Sequence, residues 1–289
     1  MRTRGFLGIL LILLGEALSF IHILPWSRYV FPLCWYGYVL VLDALNHRLQ
    51  GRSLISHRKR EFLLMLSVSA LYWYLFEWYN LVIQNWLYIN TPPEKWIEIT
   101  VKVVSFATVI PALYETAEFV STLIGSRKSF RVLPLIPGSR PVFSLILLSG
   151  LLLSLLPLLL PKLFFWSVWL GLFFLIDPIN DRFGRPSILR DWQEGNLRRS
   201  VVFLAAGYIC GFFWEFWNYW AYTKWIYTVP VPDMPHIFEM PILGFLGFGP
   251  FGLETFAFWT LVWGERGFNL RRVKEHSQAV GTAGNLERS

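Results

Sequence analysis

The sequence predicts an all-α polytopic membrane protein of about eight transmembrane helices, arranged as two parallel four-helix repeats. Three observations carry this. The 289 residues are 55% apolar and 16% charged, with a mean hydropathy of +0.46, whereas a soluble domain carries about 25% charged residues. Several apolar runs reach the roughly 20 residues that cross a bilayer. A set of polar and aromatic residues occurs twice, at nearly constant offset.

The elements follow in order. MRTR and residues 6–24 have the look of a signal peptide, but the apolar run is long and no A-x-A site follows. It reads as an uncleaved span 1. Span 2 covers 29–45 and leads into the basic loop NHRLQGRSLISHRKR. Span 3 covers 62–80, and 84–96 connects to span 4 at 97–124. SRKSFRV follows, then spans 5 (142–160) and 6 (163–179), the loop DRFGRPSILRDWQEGNLRR, and span 7 (201–222). Residues 225–236 form a Pro-rich turn region before span 8 (237–263). The first repeat is 1–133 and the second 134–267; 268–289 is a basic tail.

The N-terminus, the loops after spans 2, 4 and 6, and the tail hold 21 of the 26 Lys and Arg. By the positive-inside rule both termini are cytoplasmic, in a multi-pass protein of the cell's inner membrane. Trp26, Trp86, Tyr88, Trp96, Trp225 and Tyr227 gather at the opposite face, as an interfacial belt does. The net charge of +7 sits in these short loops, so it is not a nucleic-acid signal. Cys34 and Cys210 lie inside spans without a CxxC, and the five histidines are scattered. A disulfide framework or a histidine metal site therefore has no support.

The repeat is read from matched groups. Glu77 and Asn80 correspond to Glu215 and Asn218, and Trp86-Leu-Tyr88 to Trp225-Ile-Tyr227. Pro111, Glu115 and Thr116 correspond to Pro250, Glu254 and Thr255. Asp43, Asn46 and Arg48 correspond to Asp177, Asn180 and Arg182. Gly125 and Arg127 recur as Gly264 and Arg266. The offsets are 134 (177 − 43), 138 (215 − 77) and 139 (254 − 115). An offset broken by short insertions is what duplication leaves. Four spans per copy keep the copies parallel about an axis along the membrane normal, and bring equivalent groups to one central cleft.

Carboxyls in apolar spans are site candidates by default. Glu77 with Asn80, and Glu215 with Asn218, share a helix face at i and i+3, where the amide can hydrogen-bond the carboxyl. Glu115 and Glu254 each follow a proline by one turn, where a bent helix lines a cavity or is satisfied by neighbours. GFLGFGPFG in the second repeat permits close approach. Apolar surroundings disfavour a charged carboxyl, and a general acid must be neutral before it acts. The bland alternative is interhelical glue worth ~0.6 kcal/mol per contact. Four acids at repeated positions favour function, because Ser, Thr or Gln would serve as glue. Trp73, Trp78, Trp217 and Trp220 stand beside the acids and offer faces to a cation, although core filling explains any single one. The Asp-x-x-Asn-x-Arg groups offer oxygens for Mg²⁺ and a fork for phosphate. The favoured reading is structural, an Asp–Arg pair and an Asn that ends a helix, fixing a basic loop.

An acid with Asn nearby, then Trp-x-Tyr, then Pro, Glu and Phe on the next span, resembles the membrane-integral lycopene cyclase domain. The small transmembrane terpene cyclases of fungal meroterpenoid pathways are similar in architecture. The resemblance covers about 45 residues per repeat. It places Glu77 and Glu215 at the acidic position, and Trp86/Tyr88 and Trp225/Tyr227 at the aromatic pair. Glu115 and Glu254 match one Glu of the Pro-x-Glu-Glu pattern, with Phe119 and Phe258 behind. Here Pro and Glu are four apart rather than two, and Thr116 or Thr255 stands at the second Glu.

The resemblance implies an isomerase that cyclises an isoprenoid or carotenoid within the membrane. Glu77, Glu115, Glu215 and Glu254 would be the catalytic carboxyls: one protonates a C=C bond and a second takes the final proton. Asn80, Asn218, Trp86, Tyr88, Trp225, Tyr227 and Trp217 would bind substrate. The chemistry requires no cofactor; Mg²⁺ enters only if the Asp-Asn-Arg loops hold a lipid diphosphate. The partner is a membrane lipid or isoprenoid, not nucleic acid. A carrier for protons or small hydrophobes, and a structural subunit of a membrane complex, are the competing non-enzyme readings.

Overall fold

The computed structural model describes residues 2–125, 130–231 and 234–264, and these described residues are 76% helical. Helix α1 (Arg2–Ile21) turns through a 3-10 segment, Trp26–Tyr29, into α2 (Val30–Gln50). Short α3 (Leu54–His57) precedes α4 (Lys59–Ile83), strand β1 (Trp86–Ile89), α5 (Lys95–Phe106) and α6 (Val109–Ile124). The second half runs α7 (Arg140–Leu159), α8 (Pro161–Phe164), a 3-10 segment, α9 (Gly171–Arg182), α10 (Ile188–Gln193) and α11 (Arg198–Trp220). Strands β2 (Lys224–Tyr227), β3 (His236–Ile237) and β4 (Met240–Pro241), a 3-10 segment (Ile242–Gly247) and α12 (Phe248–Trp263) complete the described chain. The basic tail, 268–289, and the Gly125/Arg127–Gly264/Arg266 match, through its arginines, fall outside the described residues.

Among the described residues, six helical segments are long and apolar enough to cross a membrane: Thr3–Ile21, Lys59–Ile83, Lys95–Ile124, Arg140–Leu159, Arg198–Trp220 and Ile242–Trp263. A seventh is the pair Pro161–Trp169 and Gly171–Arg182, bent by 44°. The sequence predicts eight. The remaining segment is α2, a helix of 21 residues, whose last third carries Asp43, Asn46, His47, Arg48 and Gln50 and dilutes its apolar character. Predicted span 4 is two helices, α5 and α6, broken at Ala107–Thr108. Pro111 has no N–H to continue the ladder there. Ser69 on α4 spans the break: its hydroxyl donates to Phe106 O at 2.6 Å and accepts from Ile110 N at 3.0 Å. Predicted span 8 opens instead on the β3–β4 hairpin, because Pro235 and Pro241 interrupt any helix before residue 242.

Helices α6 and α12 form the centre, with Ile110, Ala112, Leu113, Ala117, Phe256, Ala257 and Trp259 fully buried. Helix α6 packs against α2, α4 and α11; α12 packs against α9 and α11. The bundle surface exposes large apolar side chains such as Leu71, Leu81 and Leu145. Small residues let backbones meet, as membrane helices require in the absence of a water-driven hydrophobic effect. A Cβ on Gly252 of α12 would fall on the Phe203 carbonyl of α11, and one on Gly207 would fall on the Phe248 carbonyl.

Two predictions concern stability. Gly252→Val forces α11 and α12 apart, so its thermal midpoint in detergent should fall well below wild type. Gly138→Ala, which meets only a Gln193 side chain at ordinary distance, should leave the midpoint within about 2 °C, given that surface changes cost under ~0.5 kcal/mol. Asp191, on α10 outside the spans, is pushed up to about 6 by burial, partly opposed by the Arg199 guanidinium 2.6 Å away. Its folded value lies above the ordinary 3.8. Its contribution to stability is therefore complete below pH 3.8 and is lost as pH rises through about 6. Asp191→Asn should flatten that part of the stability–pH curve.

Candidate functional site

The site begins where α4 and α11 end. Each helix stops and the chain doubles back as a four-residue strand. Gln84, at the end of α4, takes a left-handed φ of 50° to do so. The strands pair antiparallel with each other: Trp86 opposite Tyr227, Leu87 opposite Ile226, Tyr88 opposite Trp225. The two Trp-x-Tyr motifs thus form one ribbon, symmetric about its Leu87–Ile226 pair. Asn80 Nδ2 donates to Trp86 O at 2.7 Å, and its Oδ1 accepts from Asn85 N at 2.8 Å and Trp86 N at 3.2 Å. Asn218 does the same for Trp225, donating to its carbonyl at 2.8 Å and accepting from its N–H at 2.9 Å. The asparagines therefore hold strand backbone rather than the carboxyl three residues earlier, and neither lines the cavity described next.

The clamped strands aim their aromatic side chains at Glu77 and Glu215. Glu77 Oε1 accepts from Tyr88 OH at 2.7 Å, Trp86 Nε1 at 3.1 Å and Trp73 Nε1 at 3.1 Å. Glu215 Oε1 accepts from Tyr227 OH at 2.6 Å, while Trp225 Nε1 donates to that hydroxyl at 2.9 Å. Burial, reinforced by the neighbouring glutamate, raises both tyrosine pKa values well above the ordinary one; the phenols stay protonated and remain donors. The difference between the two acids has a sequence origin. Trp73 stands four residues before Glu77; the matching position before Glu215 is Gly211, over which the Phe248 ring packs. Glu215 is fully buried, and its Oε2 has no partner among the described residues.

Glu215 lines a cavity of about 500 Å³, within the size range of small-molecule sites. Trp86, Tyr88, Trp225 and Tyr227 form one wall, and Trp73, Trp169, Trp214 and Phe251 another. Trp73 lies 5.9 Å from both Trp214 and Phe251, and Phe76 stacks on Trp169 at 5.2 Å. Glu77 stands one side chain behind, through three residues that line the cavity. Glu115 and Glu254 lie elsewhere, so the four acids do not ring a common hollow. Glu115 Oε2 accepts from Asn46 Nδ2 at 2.6 Å; Glu254 Oε1 accepts from Leu172 N at 2.9 Å. Pro111 and Pro250 sit in the first turns of α6 and α12, and both carboxyls are buried in the helix packing that follows. Trp217 is also behind the wall, donating to Glu16 Oε1 at 3.3 Å. Trp78 and Trp220 are exposed on the bundle surface.

The Asp-Asn-Arg groups divide between interior and surface. Asp43 Oδ1 accepts from Ile55 N at 2.8 Å and its Oδ2 from Arg4 at 2.9 Å. Asp177 accepts from Ile188 N at 3.1 Å, Leu189 N at 2.8 Å and Ser187 Oγ at 2.7 Å. Each aspartate thereby satisfies the first N–H groups of a short helix, α3 or α10, capped by Ser53 or Ser187. Asn180 donates to Ala257 O at 2.9 Å. Arg48 and Arg182 are exposed and take no part. Both oxygens of each aspartate already accept hydrogen bonds, while the Asn46 and Asn180 Oδ1 atoms are buried without a partner among the described residues. Among the described residues no group of three His, Cys, Asp or Glu is arranged for a metal ion. Sequence reading missed Arg28, Trp169, Trp214 and Phe251 on the cavity wall, and Glu16 behind it. Glu16 alone had a signal, an acid inside the apolar run of span 1.

Asn218→Ala leaves the Trp225 backbone without its partners, at a cost of ~1–3 kcal/mol. Asn218→Ala should therefore lower the thermal midpoint and shift tryptophan emission; Asn80→Ala should do the same. An Asn218→Ala protein with wild-type stability and emission would refute the clamp. Comparison of the chain with protein-family models, with curated proteins and with solved structures returns no match.

Proposed function

We propose that the protein is a membrane-embedded isomerase that protonates and cyclises an isoprenoid in the aromatic cavity, with Glu215 as the acid. The observation that carries this is one fully buried carboxyl, held by a single phenol through one oxygen, with indole and phenyl faces around the space it borders. The bundle in this proposal is two parallel four-helix repeats, α2 and α9 included, facing across the ribbon. The register of β1 on β2, the paired clamps Asn80 and Asn218, and the paired caps Ser53 and Ser187 support that symmetry. So does Gly37 on α2, which meets α1 closely as Gly171 meets α7 at the same offset, 134 (171 − 37). Both termini are cytoplasmic in this arrangement, and the cavity lies toward the outer face.

The proton on Glu215 adds to one carbon of a C=C bond, whose π electrons form the new C–H bond. The tertiary cation left behind faces Trp73, Trp214 and Phe251, whose ring quadrupoles attract positive charge. A second C=C attacks the cation and closes the ring. The Glu215 carboxylate then removes a proton from the adjacent carbon, restoring a double bond. Proton in equals proton out, and no electrons leave the substrate. Glu77 is a positioning residue: it fixes Trp73, Trp86 and Tyr88 from behind.

Glu215→Gln should lower cyclisation at least ~10²-fold, the usual worth of a positioned acid, measured as product in membranes of an isoprenoid-producing host. Glu115→Gln and Glu254→Gln should retain turnover. Undiminished cyclisation by Glu215→Gln would overturn the role given to that residue.

A further inference from the structure

We infer that the ligand of this cavity is a single-chain amphiphilic anion, its head group on Arg28 and its apolar chain running past the ribbon to Glu215. The inference rests on reading the cavity as a substrate site and adds the chemical class of what enters it. Arg28 lies in the 3-10 turn between α1 and α2, and it lines the cavity together with Phe31. The Phe31 ring packs edge-on against Trp225 at 5.1 Å, which ties this turn to the ribbon. Among the described residues three cations line the wall. Lys102 Nζ is bonded to Glu98 at 2.7 Å, and Lys224 to Glu239. Arg28 has no carboxylate among the described residues, and its Nε is buried without an acceptor.

A buried guanidinium N–H without an acceptor is costly, and a ligand that supplies one recovers that cost. The guanidinium fork matches the oxygens of a phosphate or a carboxylate. Most of the remaining wall is aromatic and aliphatic, with Asn85, Thr91, Ser105 and Thr223 its uncharged polar side chains, so Arg28 is the cation on it that is left without a carboxylate among the described residues. Arg28 stands at the end of the bundle where α4 and α11 end, and Glu215 lies within the last turns of α11. A lipid-like molecule with its head at the membrane surface and its chain inward fits that order.

The test is binding of geranylgeranyl monophosphate and of geranylgeraniol to the full-length protein in neutral detergent, read from quenching of the cavity tryptophans. Wild type should bind the phosphate at least about tenfold tighter than the alcohol, the usual worth of a charged hydrogen bond. Arg28→Gln should bind both equally, and Arg28→Lys should fall between. Equal binding of the two probes by wild type would overturn the inference, and so would a preference that survives in Arg28→Gln. The two proposals fail separately. Cyclisation of geranylgeraniol without preference for the phosphate removes the head-group assignment and leaves the isomerase. Arg28-dependent binding, with Glu215→Gln and wild type equally inert toward both probes, does the reverse.

Discussion

Two asparagine side chains hold together the end of the bundle that carries the β1–β2 ribbon. A strand placed at the end of an apolar bundle carries N–H and C=O groups that lipid cannot satisfy. Asn80 and Asn218 each give one donor and one acceptor to a tryptophan backbone, at Trp86 and Trp225. That contact turns two short peptides into a ribbon with a fixed register. The register aims two indoles and two phenols, and these set the two acids. Each carboxyl is thus positioned by a chain of hydrogen bonds that starts at the backbone of a strand six or seven residues after an asparagine.

The same motif produces two different environments. Glu77 has three donors converging on one oxygen, which is the setting of an acceptor. Glu215 has one donor and one free oxygen at a cavity. Two differences separate them: an indole stands four residues before Glu77 and no side chain four residues before Glu215, and Trp86 donates to its acid directly whereas Trp225 donates to the Tyr227 hydroxyl. Trp73 then turns to serve both sides, donating to Glu77 while its ring walls the space beside Glu215. Two motifs that share a Glu, an Asn and a Trp-x-Tyr thus differ in their surroundings, with a tryptophan at one flanking position and a glycine at the other.

Much of the arrangement was legible from residue spacing. The pairing of Glu77 with Glu215, of Trp86/Tyr88 with Trp225/Tyr227, and of Asp43 with Asp177 marked positions that the structure places in matching local settings. The partners were less legible. Asn at i+3 from Glu shares its helix face, but Asn80 and Asn218 stand near helix ends, where unsatisfied backbone competes for the amide and wins. Asp43 and Asp177 were read with the arginines five residues on, yet a helix turns those arginines outward while the aspartates point in. Glu115 and Glu254 follow prolines as expected of cavity-lining bends, but α6 and α12 are the central helices and are buried along the turns that carry these acids.

What the sequence alone determined is local and compositional: apolar lengths that cross a bilayer, prolines that end helices, and motifs that repeat. Hydropathy and i, i+3 or i, i+4 spacing report on a single segment and its neighbours. Which carboxyl meets the cavity was decided elsewhere. Trp86 and Tyr227 are 141 positions apart (227 − 86) and meet face to face. Arg28 reaches the same space from a turn that no motif marks. These contacts depend on how α4 and α11 are seated against α6 and α12, and that seating is set by packing among side chains far apart in the chain.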